Sequence, residues 1–162
     1  MKTLVLYDSA FGNTQQIAKA IGAALNTDTD TPVVRIKDVL PEHLSGIQLL
    51  IVGSPTRGFR PSEDTKKLLQ KIPARSLAGV KVAAFDTRVN IKDVNSGFLT
   101  FMVNLFGYAA EPIAKTLQKK GGNLIAPPEG FFVEDKEGPL KRGELERAVA
   151  WANRLVVPAG EL

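Results

Sequence analysis

Asp8-Ser9-Ala10-Phe11-Gly12-Asn13-Thr14 is the segment whose residue types point most directly to chemistry. It lies between a short apolar run, Thr3 to Tyr7, and apolar residues recurring at helical spacing from Thr14. A helix starting there leaves its first backbone N–H groups without intrahelical partners, and its dipole favours negative charge at the same place. Ser9, Asn13 and Thr14 add side-chain donors, and Gly12 lets the backbone turn tightly and approach an anion closely. No lysine follows Gly12 and the pattern GxxxxGK[ST] is absent, which disfavours hydrolysis of a nucleoside triphosphate. GxGxxG is absent too, which disfavours a dinucleotide fold. A neutral loop of this kind suits a phosphate monoester held by hydrogen bonds. The same residues would also serve as a capped helix start with no ligand.

The rest of the chain supplies elements able to hold such a loop. Thr3 to Tyr7, Val33 to Lys37, Ile47 to Gly53, Val80 to Phe85 and Asn123 to Ala126 read as strands, the last continued by Phe131 to Val133. Thr14, Ile17, Ala18, Ile21 and Leu25 mark a helix after the first strand. Ser62 can cap another, with Glu63 and Asp64 in its first turn. Phe98, Phe101, Met102 and Leu105 begin a third stripe, continued past Gly107 by Ile113, Ala114 and Leu117. Leu145, Ala148, Val149, Ala152 and Val156 form the closing helix, with Trp151 beside its apolar stripe. Strands alternating with helices imply a parallel sheet covered on both faces. A doubly wound α/β sandwich with five strands in the order 2-1-3-4-5 fits this pattern. Its ligand crevice lies where the loops after the first and third strands leave to opposite faces. The segments that matter are therefore 8–14, 54–61 and 86–97.

The 162 residues correspond to one domain, 1–162, with 44% hydrophobic and 23% charged residues, as in a soluble globular protein. The absence of cysteine excludes disulfides, thiolate metal sites and cysteine nucleophiles, and the lone His43 excludes a site with two imidazoles. No apolar run reaches membrane-spanning length, and the first eight residues turn polar too soon for a signal peptide, so a cytoplasmic location is expected. Lys and Arg number 21 against 17 Asp and Glu, giving a net charge of +4. The positive residues are scattered, which speaks against nucleic acid and leaves a solvated surface, an acidic protein partner or an anionic surface.

The first loop resembles the phosphate-binding loop of flavodoxins, [TS]-x-[TS]-G-x-T. Ser9, Gly12 and Thr14 match it, Asn13 occupies the variable position, and Phe11 departs from it by replacing a hydroxyl. Gly53-Ser54-Pro55-Thr56-Arg57-Gly58 is similar to the flavodoxin segment GSPTxxG that borders the flavin ring. The resemblance covers the whole chain in length and element order. It implies a short-chain flavodoxin-like protein, also similar to flavodoxin-like domains near menaquinone-dependent protoporphyrinogen oxidase. It further implies noncovalent FMN held by Ser9, Ala10, Phe11, Gly12, Asn13 and Thr14 at the phosphate, and by Pro55, Thr56, Arg57, Gly58 and Phe59 beside the ring. Asp86, Thr87 and Arg88 then meet the pyrimidine edge. In this frame Phe59 is a stacking surface or a loop aromatic folded onto the core. Gly58 is the position whose carbonyl meets flavin N5 when N5 is protonated. Arg57 and Arg60 face the ring, where they would favour an anionic reduced flavin, or face water. The third segment lacks the tyrosine that stacks on the flavin in many flavodoxins, the nearest being Tyr108.

Three functions follow as expectations: an electron carrier between redox proteins, an oxidoreductase acting on a quinone or porphyrinogen, and a flavin-free binding module. His43 reads as an exposed loop residue. Glu134, Asp135 and Glu137 lack a further carboxylate at metal-site spacing. Phe98, Phe101, Phe106 and Tyr108 read as core, although an exposed Phe there would mark a docking surface.

Overall fold

The computed structural model describes residues 1–26 and 31–157. Its strands are β1 (Thr3–Tyr7), β2 (Val33–Arg35), β3 (Leu49–Pro55), β4 (Lys81–Val89), β5 (Asn123–Leu124) and β6 (Glu129–Val133). Its helices are α1 (Asn13–Leu25), α2 (Glu63–Lys71), α3 (Gly97–Phe106), α4 (Ala110–Lys119) and α5 (Glu144–Val156). The strands pair in parallel in the order β2-β1-β3-β4-β5, as expected for a flavodoxin-like sandwich. The fifth strand position is divided: β5 pairs with the start of β4, and β6 pairs with its end from Phe85 to Val89. Pro127 and Pro128 lie between the two pieces, where proline's missing N–H interrupts a ladder.

Alternation along the buried strands sends side chains to two cores. Leu4, Leu6, Leu50, Val52 and Val82 pack against Leu69, Ile113 and Leu117 from α2 and α4. Val5, Tyr7, Ile51, Ala83 and Phe85 pack against Ile17, Ile21, Ala148 and Trp151 from α1 and α5. Phe85, Phe131 and Trp151 meet edge to face, with centroids 6.0–6.2 Å apart. Gly53 makes room for this cluster, since a Cβ there would lie 2.0 Å from the Phe85 ring.

Three expectations change. Val33 to Lys37 is strand only to Arg35, and a short 3₁₀ turn takes over at Ile36. The stripe from Phe98 is not core: no described side chain of α3 is buried, and Phe98, Phe101 and Leu105 are more than half exposed. α3 stands off the sandwich with marginal contact to other elements, because Gly107 breaks the chain before α4 returns to the sheet. His43 is half-buried, its Nδ1 accepting the Leu40 N–H at 2.9 Å, so it caps a short turn.

Candidate functional site

A crevice of about 480 Å³ opens at the carboxyl ends of β1, β3 and β4. Its first wall is the loop from Asp8 to Gly12 with the start of α1, tied back from behind. The Asp8 carboxylate accepts the Ser9 N–H at 2.9 Å, and Ser9 Oγ accepts the Gly12 N–H at 3.0 Å. The Arg35 guanidinium, on β2, donates to the Ser9 carbonyl at 2.7 Å. Gly12 is the N-cap of α1 at φ 89, where an added Cβ would meet no atom within 4 Å. Its backbone angle, not crowding, calls for glycine. No side chain caps α1 and no acidic residue stands in its first turn. Among the described residues, the N–H groups of Ala10, Phe11, Asn13, Thr14 and Gln15 find no acceptor.

The side-chain donors expected here are largely engaged. Asn13 Nδ2 donates to the Glu137 carbonyl at 3.1 Å. The Thr14 and Thr87 hydroxyls share a 2.8 Å hydrogen bond between α1 and β4, which leaves one hydroxyl proton of the pair to donate elsewhere. The loop therefore presents mainly backbone donors.

Pro55, Thr56, Arg57 and Gly58 form the second wall. Thr56 N–H extends the ladder to the Thr87 carbonyl at 2.9 Å, and Thr56 Oγ1 accepts the Ala109 N–H at 3.1 Å. Arg57 and Arg60 exchange backbone hydrogen bonds at 2.9 and 3.1 Å across a two-residue turn. Gly58 (φ 53) and Phe59 (φ 65) both take left-handed angles there. Of the two readings of Phe59, the turn favours the aromatic packed away from the crevice. Its ring lies outside the crevice, in a groove with Pro61, Leu69 and Pro112 on the α2–α4 side. Arg57 lines the crevice, Arg60 does not, and both are exposed.

The third wall is strand rather than loop. β4 runs to Val89 because β6 extends its ladder, so alternation decides where its residues point. Thr87, Arg88 and Val89 line the crevice, but the Arg88 guanidinium turns to the α4 face, onto Asp86 and over Gly130. Asp86 is not among the lining residues: its side chain is wholly buried on the α4 side. Its oxygens accept Arg88 Nε at 2.6 Å, Arg88 Nη2 at 2.7 Å and the Ala110 N–H at 2.8 Å. Burial pushes the Asp86 carboxyl up, against the opposing pull of Arg88 and the Ala110 N–H. Three donors on two oxygens fit the ionised form. The Arg88 guanidinium also lies 3.7 Å over the Tyr108 ring.

The sequence reading missed Val133, Lys136 and Glu137, which also line the crevice. Val133 ends β6, and Lys136 and Glu137 follow it in a hairpin closed by Glu134 N–H to the Pro139 carbonyl at 2.8 Å. Asp135-Lys136-Glu137-Gly138-Pro139 signals a turn, but its position depends on the pairing of β6 with β4. Glu134, Asp135 and Glu137 form no metal cluster among the described residues. No described helix is long and apolar enough to cross a membrane.

The model of the flavodoxin family matches residues 5–151. Among solved structures, the chain is similar to a flavodoxin from the domain Archaea, at 22% identity and TM-score 0.75, covering 96% of both chains. Oxidised flavodoxin 1 from Bacillus cereus matches at 19% identity and TM-score 0.75, covering 96% of this chain and 97% of that one. A short-chain flavodoxin associated with a bacterial microcompartment matches at 17% identity and TM-score 0.71, with the same coverage. These likenesses show the fold. The family match spans the first loop, the segment after β3 and the end of β4, and with the strand order it establishes that the chain belongs to the flavodoxin family.

Proposed function

We propose that this chain binds FMN noncovalently in the crevice and carries electrons between redox proteins. The observation that carries the reading is the set of unpartnered backbone N–H groups around Gly12. Ala10, Phe11, Asn13 and Thr14 of this set line a crevice whose volume is within the range of cofactor sites. A phosphate monoester supplies the acceptors that these groups lack, without a competing acidic side chain in the first turn of α1. FMN, when bound, supplies the electron chemistry, and the protein supplies position and electrostatics. Ser9 to Thr14 hold the phosphate, with Lys136 adding positive charge and Glu137 negative charge at the rim. Pro55 to Gly58 and Thr87 to Val89 form the walls available to the ring. Gly58 presents a peptide that can reorient without a Cβ clash, since nothing lies within 4 Å of its Cβ position.

Exchange with a partner protein finds support in α3, which places exposed Phe98, Phe101 and Leu105 on the segment directly after β4. The net charge of +4 steers acidic partners, an effect that shrinks with salt. A cytoplasmic location accords with a carrier of this kind. Reductive titration of the FMN-loaded chain tests the role. A carrier takes up electrons in two resolved one-electron steps. One two-electron step, with turnover of quinones or porphyrinogens, would instead make the chain an oxidoreductase.

A further inference from the structure

We infer that Arg35 is a positioning residue for the phosphate. From behind the β1–α1 loop it sets the Ser9–Ala10 peptide so that the Ala10 N–H is free to donate to the anion, and it offsets the charge of Asp8. The inference rests on the FMN reading above and adds a residue that is not part of the crevice lining.

Strand pairing brings Arg35 to the loop. β2 ends at Arg35, which stands opposite Tyr7, the last residue of β1. The next residue, Ile36, is buried and begins a 3₁₀ turn, so the strand end is anchored. The loop starts at Asp8, one residue beyond Tyr7. Arg35 Nη2 donates to the Ser9 carbonyl at 2.7 Å and lies 3.5 Å from Asp8 Oδ1. Arg35 Nε is buried with no acceptor among the described residues, which costs the fold free energy. The ion pair returns little, since its separation is long and the arginine side chain is 38% exposed. Stability therefore does not account for the placement of this guanidinium.

The peptide unit carries the effect across the loop. The Ser9–Ala10 bond is trans, so its C=O and N–H point in opposite directions. With Arg35 on the C=O, the Ala10 N–H points away from the guanidinium. Ala10 lines the crevice, and the order β2-β1-β3 places the strand of Arg35 on the far side of β1 from β3 and β4, which form the other walls. A charged donor on a carbonyl polarises the peptide, which makes the N–H of the same unit a stronger donor. The neighbouring donors are already sorted. Ser9 N–H is taken by Asp8 and Gly12 N–H by Ser9 Oγ, whereas Ala10 N–H has no acceptor among the described residues. Asp8 also brings a negative charge to the start of an anion-binding loop, and Arg35 offsets it. Arginine stays charged at any working pH, so this arrangement does not titrate.

The experiment measures dissociation constants for FMN and for riboflavin, by flavin fluorescence, in the native chain, Arg35→Gln, Arg35→Lys and Lys37→Gln. Arg35→Gln should weaken FMN about tenfold, the scale of one hydrogen bond to a charged group, and leave riboflavin binding as in the native chain. Arg35→Lys, which keeps the charge, should recover part of the loss. Lys37→Gln removes an equal charge from a nearby exposed position and should leave both constants as they are. If Arg35→Gln does not fold, Arg35→Met, which keeps the packing of the stem, is read by the same criterion. A merely structural role would weaken both flavins together, and that result would overturn the inference. So would a preference for FMN over riboflavin within about twofold of native, or a loss as large in Lys37→Gln. Each of these leaves the FMN reading intact. A native chain that binds no FMN, or binds both flavins equally, would remove that reading as well.

Discussion

Two glycines in this chain form a built-in control for the anion site. Gly12 (φ 89, ψ −5) and Gly143 (φ 87, ψ −6) are the N-caps of α1 and α5, with nearly the same backbone angles. Neither N-cap has a side chain to cap its helix, and a Cβ at either position would meet nothing within 4 Å. The helices differ in their first turns. α1 has no acid there, while α5 carries Glu144 and Glu146, and Glu144 accepts the Phe132 N–H at 2.7 Å. Alanine at either glycine therefore brings backbone strain of about 1–2 kcal/mol and no steric clash. In Gly143→Ala the whole cost should appear as lost stability, with FMN affinity unchanged. In Gly12→Ala the strain divides. What the free loop retains lowers stability, and what it relieves by moving must be restored on binding. The two losses together should reach about 1–2 kcal/mol, so FMN binding weakens by up to roughly tenfold or somewhat more. Denaturant unfolding with and without FMN, combined with quenching of flavin fluorescence, separates the two. Equal weakening of FMN binding by both variants would refute the assignment of the site to α1, as would Gly12→Ala with native stability and native affinity.

Other consequences concern stability. Burial works to raise the Glu144 carboxyl, but the Arg147 hydrogen bond, the Phe132 N–H and the Arg147 and Lys141 charges together hold it below its usual value of about 4.5. Its contribution is therefore complete above that value and is lost as pH falls through the lower folded value. Glu144→Gln should cost about 1–2 kcal/mol near neutral pH, with the difference from native vanishing in acid, as read by unfolding at several pH values. Gly53→Ala drives a methyl into the Phe85 ring and should cost about 1–3 kcal/mol in denaturant unfolding. Phe98→Ser with Phe101→Ser should leave stability within about 0.5 kcal/mol per site, since both rings are exposed, while slowing electron exchange with an acidic redox protein in stopped-flow mixing.

The parts of the site that depend on local sequence were readable directly. A strand, a glycine and a helix start are neighbours in the chain, so the helix start with its free N–H groups after Ser9 could be expected before any fold was known. Pro55 to Gly58 came with the segment after β3 for the same reason. Phe59 escaped because its side chain follows from two successive left-handed residues, a conformation that phenylalanine rarely adopts. Asp86 was assigned to a loop because the apolar run ends at Phe85. The strand continues to Val89 only because β6 pairs with it more than forty residues later in the chain. That same pairing brings Lys136 and Glu137 to the rim. The apolar spacing of Phe98, Phe101 and Leu105 predicted a helix, and α3 is one. Periodicity alone does not say which surface covers a helix, and here none of the described elements does so closely.

The central claim is that the α1 start holds the phosphate of FMN. Titrating the purified chain with FMN and, in parallel, with riboflavin tests it most directly, because the two ligands differ only in that phosphate. FMN should bind tightly and riboflavin more weakly by about 100-fold or more, as expected when several hydrogen bonds to a charged group are lost. Equal affinity for the two, or no binding at micromolar FMN, would contradict it.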